Sequence, residues 1–444
     1  MQRRMTVVGT GYLGVTHAAC LAEMGYDVLG LDTDVAKIAM LADGRVPFYE
    51  PELEPLLRKH LDDGRLRFTT SYADAVAFGD VHFICVGTPQ RPDGPAADLR
   101  FVHASIESLG PLLDRPTLVV GKSTVPVGTA RWASDRLHEL APAGMDVNLV
   151  WNPEFLREGF AVQDTLRPDR LVIGSDTPGA ASLLRAIYQP LLDSGVPLVE
   201  TDLATAELVK AAANSFLATK ISFINAMAEV CETTGADIVA LAEAIGHDER
   251  IGKRFLNAGL GFGGGCLPKD IRAFMARAEE LGVESALAFL KEVDAINNRR
   301  RSRMVDLART QIGGSFEGTA VAVLGAAFKP DSDDIRDSPA LDVAARIAGE
   351  GGRVQVYDPK AMDNARVRYP DLTYAQSAVE AGEGADIVLH LTEWREFVAM
   401  DPDVLGAVVR HKRVVDGRNA LDAVRWRAAG WSYRALGRPD VDPT

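Results

Sequence analysis

The first fourteen residues constrain the fold more than any other stretch. Met5-Thr6-Val7-Val8 reads as a buried strand and is followed by Gly9-Thr10-Gly11-Tyr12-Leu13-Gly14, then by a helical run to about Met24. A second strand follows over residues 26–31, closed by Asp32. A GxGxxG pattern alone is a weak signal. Set between a strand and a helix, with an acid at the end of the next strand, it is a strong sign of a dinucleotide-binding βαβ unit, the alternative being a glycine turn in some other α/β protein. Gly9 then makes the tight turn, Gly11 lets a pyrophosphate approach, and Gly14 lets helix and strand pack closely. Asp32 would accept ribose hydroxyls and repel a 2′-phosphate, which favours NAD over NADP.

A chain of 444 residues exceeds one core, so two or three domains are expected. With 47% hydrophobic and 25% charged residues the composition is that of an ordinary soluble protein. A formal charge of −14 argues against a nucleic-acid or anionic-membrane surface, so an anionic ligand needs local basic residues. The four cysteines, Cys20, Cys85, Cys231 and Cys266, are far apart with no CxxC pair, and suggest neither a zinc site nor a disulfide framework. No metal is expected. The N-terminus runs directly into the first strand without a signal-like segment, and no apolar run reaches membrane-spanning length. A reduced, cytoplasmic protein is the expectation.

Further strands follow at α/β spacing over residues 81–86, 117–120 and 147–150, each a near-continuous apolar run of the kind buried on both faces of a parallel sheet. Cys85 lies in one of them and reads as core. Polar residues collect just after the strand ends, where open α/β sheets bind ligands. Thr88 and Thr124 are therefore candidate cofactor contacts, with ordinary turn residues as the alternative. Asn152-Pro153-Glu154-Phe155-Leu156-Arg157-Glu158-Gly159 places two carboxylates four apart at a strand exit; they could supply a base or simply be solvated charges at a helix start.

From Leu203 to Thr234 the chain is alanine-rich with few breakers, and Gly235 ends it as a helix stop. A helix of that length outspans one small domain and could join two and carry a dimer interface. Lys210 and Asn214 fall on one of its faces; taken alone, Lys210 reads as a solvated lysine. A second long helix is expected over residues 285–310, with Arg299-Arg300-Arg301 as a solvated basic face. Between the two helices lies Gly259-Leu260-Gly261-Phe262-Gly263-Gly264-Gly265-Cys266-Leu267-Pro268-Lys269-Asp270. A thiol just ahead of a helix start feels the positive end of the helix dipole, which favours thiolate, and glycines let a ligand lie against backbone. The bland alternative is a linker holding a buried, inert cysteine.

A new α/β pattern begins at residue 320. Residues 352–358 echo the strand ending at Asp32, and residues 385–390 echo the strand before Thr88, but no GxGxxG recurs. Lys329 and Arg418 follow strand ends, where substrate phosphates could be held. The expected architecture is α/β: two Rossmann-like doubly wound domains joined by a long central helix, with domains over 1–200, 201–312 and 313–444 and a ligand cleft between the outer two.

Taken together, GFGGGCLPKD, NPEFLREG, ELVKAAANSFLATKISFINA, STVPVGT, AAFKPDSDDIRDSP, LTEW and DGRN resemble the signatures of the UDP-glucose/GDP-mannose dehydrogenase family, in the family's order and over essentially the whole chain. Arg250-Ile251-Gly252 followed by Phe255-Leu256 looks like the branch acting on UDP-glucose; GDP-mannose or a UDP-N-acetylhexosamine is the alternative. The resemblance implies a four-electron oxidation, in which UDP-glucose, two NAD⁺ and water give UDP-glucuronate, in a homodimer or larger homo-oligomer. It casts Cys266 as the thiolate that captures an aldehyde, Glu154 as the group activating water, and Thr124 and Asp270 as groups placing it. By the same resemblance Lys210 and Asn214 stabilise the oxyanion, and Lys210 or a water on Asp270 takes the first proton. Gly9, Gly11, Tyr12, Leu13, Gly14, Asp32, Lys37, Thr88, Thr124, Glu158, Lys269 and Arg336 would lie near NAD. Glu154, Phe155, Leu156, Glu158, Lys210 and Asn214 would also meet the sugar nucleotide. So would Phe255, Leu256, Asn257, Ala258, Gly259 and Gly263, with Lys329 and Arg418 holding it and Arg250 reaching it from a neighbouring subunit.

Overall fold

The computed structural model describes residues 3–439. Its elements divide into two compact units, one built from residues up to Ala213 together with Arg272–Gly282, the other from Asn214–Ile271 together with residues from Val283 on.

The first unit is built on β1 (Arg4–Val8), β2 (Asp27–Leu31), β3 (Leu66–Thr69), β4 (Val81–Ile84), β5 (Thr117–Gly121), β6 (Val147–Trp151), β7 (Leu171–Gly174) and β8 (Leu198–Thr201). They form one sheet in the order β3-β2-β1-β4-β5-β6-β7-β8, parallel except where β6 meets β7. That antiparallel contact is a single residue pair, Trp151 with Gly174. The central strands are apolar because helices cover both faces: every residue of β4 and β5 is buried. The order reverses between β1 and β4, the switch point at which such sheets bind ligands.

In the second unit β9 (Ala320–Leu324), β10 (Arg353–Tyr357), β11 (Thr373–Tyr374), β12 (Ile387–His390), β13 (Arg413–Asp416) and β14 (Ser432–Ala435) form a parallel sheet ordered β11-β10-β9-β12-β13-β14. All six of its strand positions repeat the order of the first six in the other sheet, so the two units are doubly wound in the same sense. The helix Leu203–Thr234 carries the chain from the first unit into the second; Gly235 closes it with φ +77 and an amide bonded to Cys231 O.

Several expectations need correction. The strand expected over 81–86 ends at Ile84, so Cys85 follows the strand, although it is 4% exposed and belongs to the core as expected. The short strands β3, β7, β8, β11 and β14 were not anticipated; β8 has no fully buried residue and β11 is two residues long, so neither has an apolar run to read. The second long helix spans Phe289–Ile312 after a 3₁₀ turn, Glu284–Leu287. Of the three consecutive arginines only Arg299 is exposed as expected; the other two are not solvated. Arg300 is 0% exposed and Arg301 6% exposed; Arg300 Nη2 donates to Glu232 at 3.1 Å and Arg301 Nη2 to Asp337 at 2.8 Å. Only partner carboxylates make such burial tolerable, and those are distant in sequence. Among the described residues no helix is long and apolar enough to cross a membrane.

Candidate active site

β1, β4, β5 and β6 are successive parallel neighbours, so Val8, Ile84, Gly121 and Trp151 end on one edge of the first sheet. The glycine turn, Thr88, Thr124 and Glu154 all follow those ends. Gly9 sits at φ +88, and a Cβ on it would lie 2.8 Å from Val86 Cγ1; one on Gly14 would lie 1.7 Å from Gly9 O. The polypeptide itself thus demands the first and third glycines. Gly11 differs: nothing in the chain comes within 4 Å of where its Cβ would stand. It precedes the helix Tyr12–Glu23, which has no side-chain cap and no acid in its first turn, leaving positive amide ends over an open space.

Asp32 accepts from Thr10 N at 2.9 Å, Asp34 N at 3.1 Å and Lys37 Nζ at 2.8 Å. Burial alone would raise its pKa, but these donors outweigh it and hold the carboxylate below its ordinary range. The open Gly11, the uncapped helix start and an ionised acid at the end of β2 fit the pyrophosphate and ribose of a dinucleotide.

Glu50 was missed by sequence reasoning. Only 6% exposed, it accepts Gly159 N at 2.7 Å and Ala161 N at 2.8 Å and binds the Tyr12 hydroxyl, tying the glycine-turn helix to the segment that carries Glu154 and Glu158. Burial, then Glu50, pushes the Tyr12 hydroxyl well above its ordinary pKa. No spacing or periodicity marks Glu50 in the sequence. Glu207, 3% exposed, was missed likewise: it accepts Gly128 N and Ala130 N at the start of the helix Thr129–Leu140, and burial raises its pKa to about 7. That helix follows the Thr124 segment, whose carbonyl accepts the Thr88 hydroxyl at 2.7 Å.

Lys210 is not solvated. It is 4% exposed, and its Nζ lies 2.9 Å from Glu154 Oε1. Glu154 also accepts the Leu156 amide. Burial would raise the pKa of Glu154, yet the charge and hydrogen bond of Lys210 prevail and lower it. The result is an ionised carboxylate in a largely dry setting, beside a cation that can polarise oxygen. Phe155 takes Arg170 over its ring at 3.6 Å, while Glu158 and Leu156 are half-buried on the same segment.

In the second unit the glycine–cysteine loop is fixed from several sides. Asn225 Oδ1 accepts Gly259 N at 2.9 Å, and Asn297 both accepts Phe262 N at 2.8 Å and donates to Phe262 O at 2.9 Å. Arg418 Nη1 donates to Gly261 O at 2.8 Å, Nη2 to Phe328 O at 3.0 Å and Nε to Leu391 O at 2.7 Å. The chain's own packing already requires two of these glycines. A Cβ at Gly259 would stand 2.5 Å from Gly417 O, and one at Gly263 2.4 Å from Asp337 O. The protein's own backbone, before any ligand, fills the space of the missing side chains. Phe255 holds φ +65, a strained conformation for a bulky residue, just ahead of this loop.

Cys266 immediately precedes the helix Leu267–Glu280 and is exposed, whereas Cys20, Cys85 and Cys231 are buried. Burial pushes the thiols of Cys20 and Cys85 up to about 12, which leaves them inert. One turn into the helix Asp270, 4% exposed, accepts Asn214 Nδ2 at 2.6 Å and pairs with Lys269, and its amide donates to Cys266 O at 3.0 Å. The second unit thus brings Cys266, Asp270, Asn214 and Lys269 together. Arg336, paired with Asp334, borders Gly265; Lys329 is half-buried after β9. The Arg250 side chain is 89% exposed and paired with Asp248. Leu256 and Ala258 are buried and Asn257 is exposed. Among the described residues no group of three or more His, Cys, Asp or Glu could hold a metal ion.

Residues 3–192 match the NAD binding domain of the UDP-glucose/GDP-mannose dehydrogenase family, residues 204–299 its central domain and residues 322–423 its UDP binding domain. The chain belongs to that family. It is accordingly an NAD-dependent oxidoreductase, with the open Gly11 and Asp32 in the segment matched as NAD binding. Among its relatives, a UDP-glucose 6-dehydrogenase of Rhizobium meliloti is 42% identical over 98% of this chain and 100% of its own length. One of Pseudomonas aeruginosa is 42% identical over 98% of each. The structure of a UDP-glucose dehydrogenase from Pyrobaculum islandicum superposes with a TM-score of 0.90 at 39% identity, covering 99% of this chain and 98% of that one. A UDP-D-ManNAc dehydrogenase from Pyrococcus horikoshii gives 0.85 at 28% identity, covering 99% and 100%.

Proposed function

We propose that this family member is a UDP-glucose 6-dehydrogenase that oxidises the sugar's hydroxymethyl group twice. The balanced reaction is UDP-glucose, two NAD⁺ and one water to UDP-glucuronate, two NADH and three protons. The observation that carries the reading is Cys266: of four thiols it alone is exposed, at a helix start beside the Asn214–Asp270 pair. NAD⁺ bound at the Gly11 turn supplies the hydride acceptor for each oxidation.

The residues then divide the work. A water held by Asp270, or Lys210 in its neutral amine form, takes the hydroxyl proton in the first oxidation. Cys266 Sγ adds to the aldehyde carbon, so that the aldehyde is retained, and loss of a second hydride leaves a thioester on sulfur. Lys210 and Asn214 stabilise the oxyanion of these steps. Glu154 takes a proton from the water that attacks the thioester, with Thr124 and Asp270 placing it, and the thiolate of Cys266 is the leaving group. The lowered pKa of Glu154 keeps it able to accept that proton. Glu158, Lys269 and Arg336 border the cofactor; Lys329 and Arg418 hold the nucleotide. Backbone of residues 255–259 and Gly263 meets the sugar.

Leu208, Phe216, Phe223 and Val230 are 38–67% exposed at spacings of seven or eight along the helix Leu203–Thr234. Such a stripe supports a dimer, from whose second subunit Arg250 would reach the substrate.

The test is stoichiometry. Two NADH per UDP-glucose are expected, and Cys266→Ser should stop after the first oxidation or stall as an adduct. One NADH with free aldehyde from the unaltered enzyme would overturn the mechanism. The likeness to a UDP-D-ManNAc dehydrogenase makes UDP-N-acetylhexosamines the second candidate substrates, with GDP-mannose beside them. A nucleotide-sugar panel decides between them.

A further inference from the structure

Beneath the edge of the first sheet lies a cation that the reaction above does not use. Lys122 follows β5 directly, and its side chain is 7% exposed among buried residues. Nζ donates to Asn152 Oδ1 at 2.9 Å and reaches Asn152 O at 3.4 Å. The same Oδ1 accepts the Tyr188 hydroxyl at 2.8 Å, while Asn152 Nδ2 donates to Val172 O at 2.8 Å and Asn152 N to Gly121 O at 2.7 Å. Asn152 is thereby saturated, and it opens the segment on which Glu154 follows two residues later.

A buried ammonium ordinarily has a carboxylate against it, because burying an unpaired charge is costly. Among the described residues no carboxylate lies within ion-pair distance of Lys122; its bonds go to a neutral amide. Burial accordingly lowers its pKa to about 8, opposed by the field of the ionised Glu154. A methionine would fill the same space without that cost. The ionisable groups around it come from every packed element: His17 on the helix Tyr12–Glu23, Cys85 after β4, Tyr188 after the helix Pro178–Ile187, Glu154 after β6, and Lys210 on the helix Leu203–Thr234. Burial and Lys122 together keep His17 neutral, and burial keeps Cys85 and Tyr188 so. Glu154 is the anion within its field; Lys210 and Arg170 are the other cations that Glu154 faces.

We propose that Lys122 is a positioning residue for the water-activating carboxylate: a second, substrate-inaccessible cation that keeps Glu154 ionised when Lys210 is engaged with the substrate's oxygen. The inference rests on the reading of Glu154 as general base. Lys210 cannot serve fully both as counter-ion to Glu154 and as donor to a developing oxyanion. Lys122, fixed on Asn152, supplies positive potential that does not depend on where Lys210 points.

The test compares Lys122→Met, which removes the charge, with Tyr188→Phe, which removes a hydrogen bond from the same Asn152 oxygen and leaves the charge. In the protein without substrate, the Glu154 carboxylate band is followed by pH-difference infrared spectroscopy, assigned by subtracting Glu154→Gln. Loss of this opposite charge should shift the Glu154 midpoint upward by about half a pH unit in Lys122→Met. The acid limb of kcat for UDP-glucose oxidation should move by the same amount, while Tyr188→Phe leaves both in place. If Lys122→Met folds poorly, Lys122→Gln is read the same way. An unmoved midpoint in the lysine variant, or equal shifts in both variants, would overturn the proposal, the second because the bond to Asn152 rather than the charge would then be acting. The infrared midpoint needs no turnover. Failure of the enzyme to oxidise UDP-glucose would therefore sink the functional reading without being confused with an unmoved midpoint.

Discussion

Lys210→Met tests the centre of the site most directly. Lys210 Nζ stands 2.9 Å from Glu154 Oε1, with side-chain exposures of 5% and 14%. Removing one partner of a buried pair leaves the other charge uncompensated, at a cost of about 3–5 kcal/mol. Glu154 keeps some contact with solvent and the fields of Lys122 and Arg170, which points to the lower end, about 3 kcal/mol. For a unit of this size each kcal/mol lowers the melting temperature by about 2–4 °C, so a fall of about 6–12 °C is expected at pH 7. The pH dependence has a definite sign. In the unaltered protein the folded pKa of Glu154 is below the ordinary glutamate value, so the pair's contribution is present above that value and fades as pH falls through the lower folded one. In Lys210→Met burial acts with less opposition and raises the folded pKa. The deficit should be greatest at neutral pH and shrink toward pH 5, as Glu154 takes up a proton. Lys210→Met/Glu154→Gln should recover at least about half of the loss, since neither charge then remains. Calorimetric melts of the four proteins between pH 5 and 8 provide the measurement. A single variant melting within about 2 °C of the unaltered protein at pH 7, or a deficit flat across that pH range, would refute the pairing argument.

Other expectations follow from the same contacts. Asp32→Ala removes charged hydrogen-bond acceptors worth about 1.5–3 kcal/mol and a repulsive charge, so the NAD over NADP ratio of kcat/KM should fall by about 10- to 100-fold. Gly14→Ala sets a Cβ 1.7 Å from Gly9 O, a backbone clash without a flexible partner; it should cost at least about 3 kcal/mol and abolish NAD binding by calorimetry. Arg300→Met breaks the bonds to Glu232 and to Gly259 O, and should raise the Kd for the UDP-sugar while destabilising the second unit by about 3 kcal/mol in denaturant melts. Phe223→Glu puts charge on the exposed stripe and should shift sedimentation toward the monomer; an unchanged species would exclude that face as the interface.

Much of the fold was legible because it depends on local rules. An apolar run, a glycine turn and an acid at the next strand end imply a βαβ unit wherever they occur, and the breaker-free stretch from Leu203 to Thr234 could hardly be other than helix. The motif order alone carried the family resemblance. Element edges and short edge strands were less legible, since β8 and β11 owe their state to neighbouring strands rather than to their own pattern.

What the sequence by itself determined was therefore the pair of doubly wound sheets, the joining helix, the dinucleotide turn and the inventory of reactive side chains. The tertiary structure decided their protonation and freedom. Arg300 and Arg301 looked like solvated charges and are buried against Glu232 and Asp337; Lys210 looked solvated and is clamped to Glu154. Glu50 and Glu207 carried no signal and Lys122 read only as a polar residue after a strand end, yet each is a buried ionisable group bonded to chain segments remote in sequence. Gly259 and Gly263 are required by the chain's own packing whatever lies against them, whereas of the GxGxxG glycines Gly11 is left open. The physical reason is common to all of these. Desolvation and charge pairing depend on which atoms lie within a few ångströms, and for these residues the chain brings those atoms from tens to over a hundred positions away.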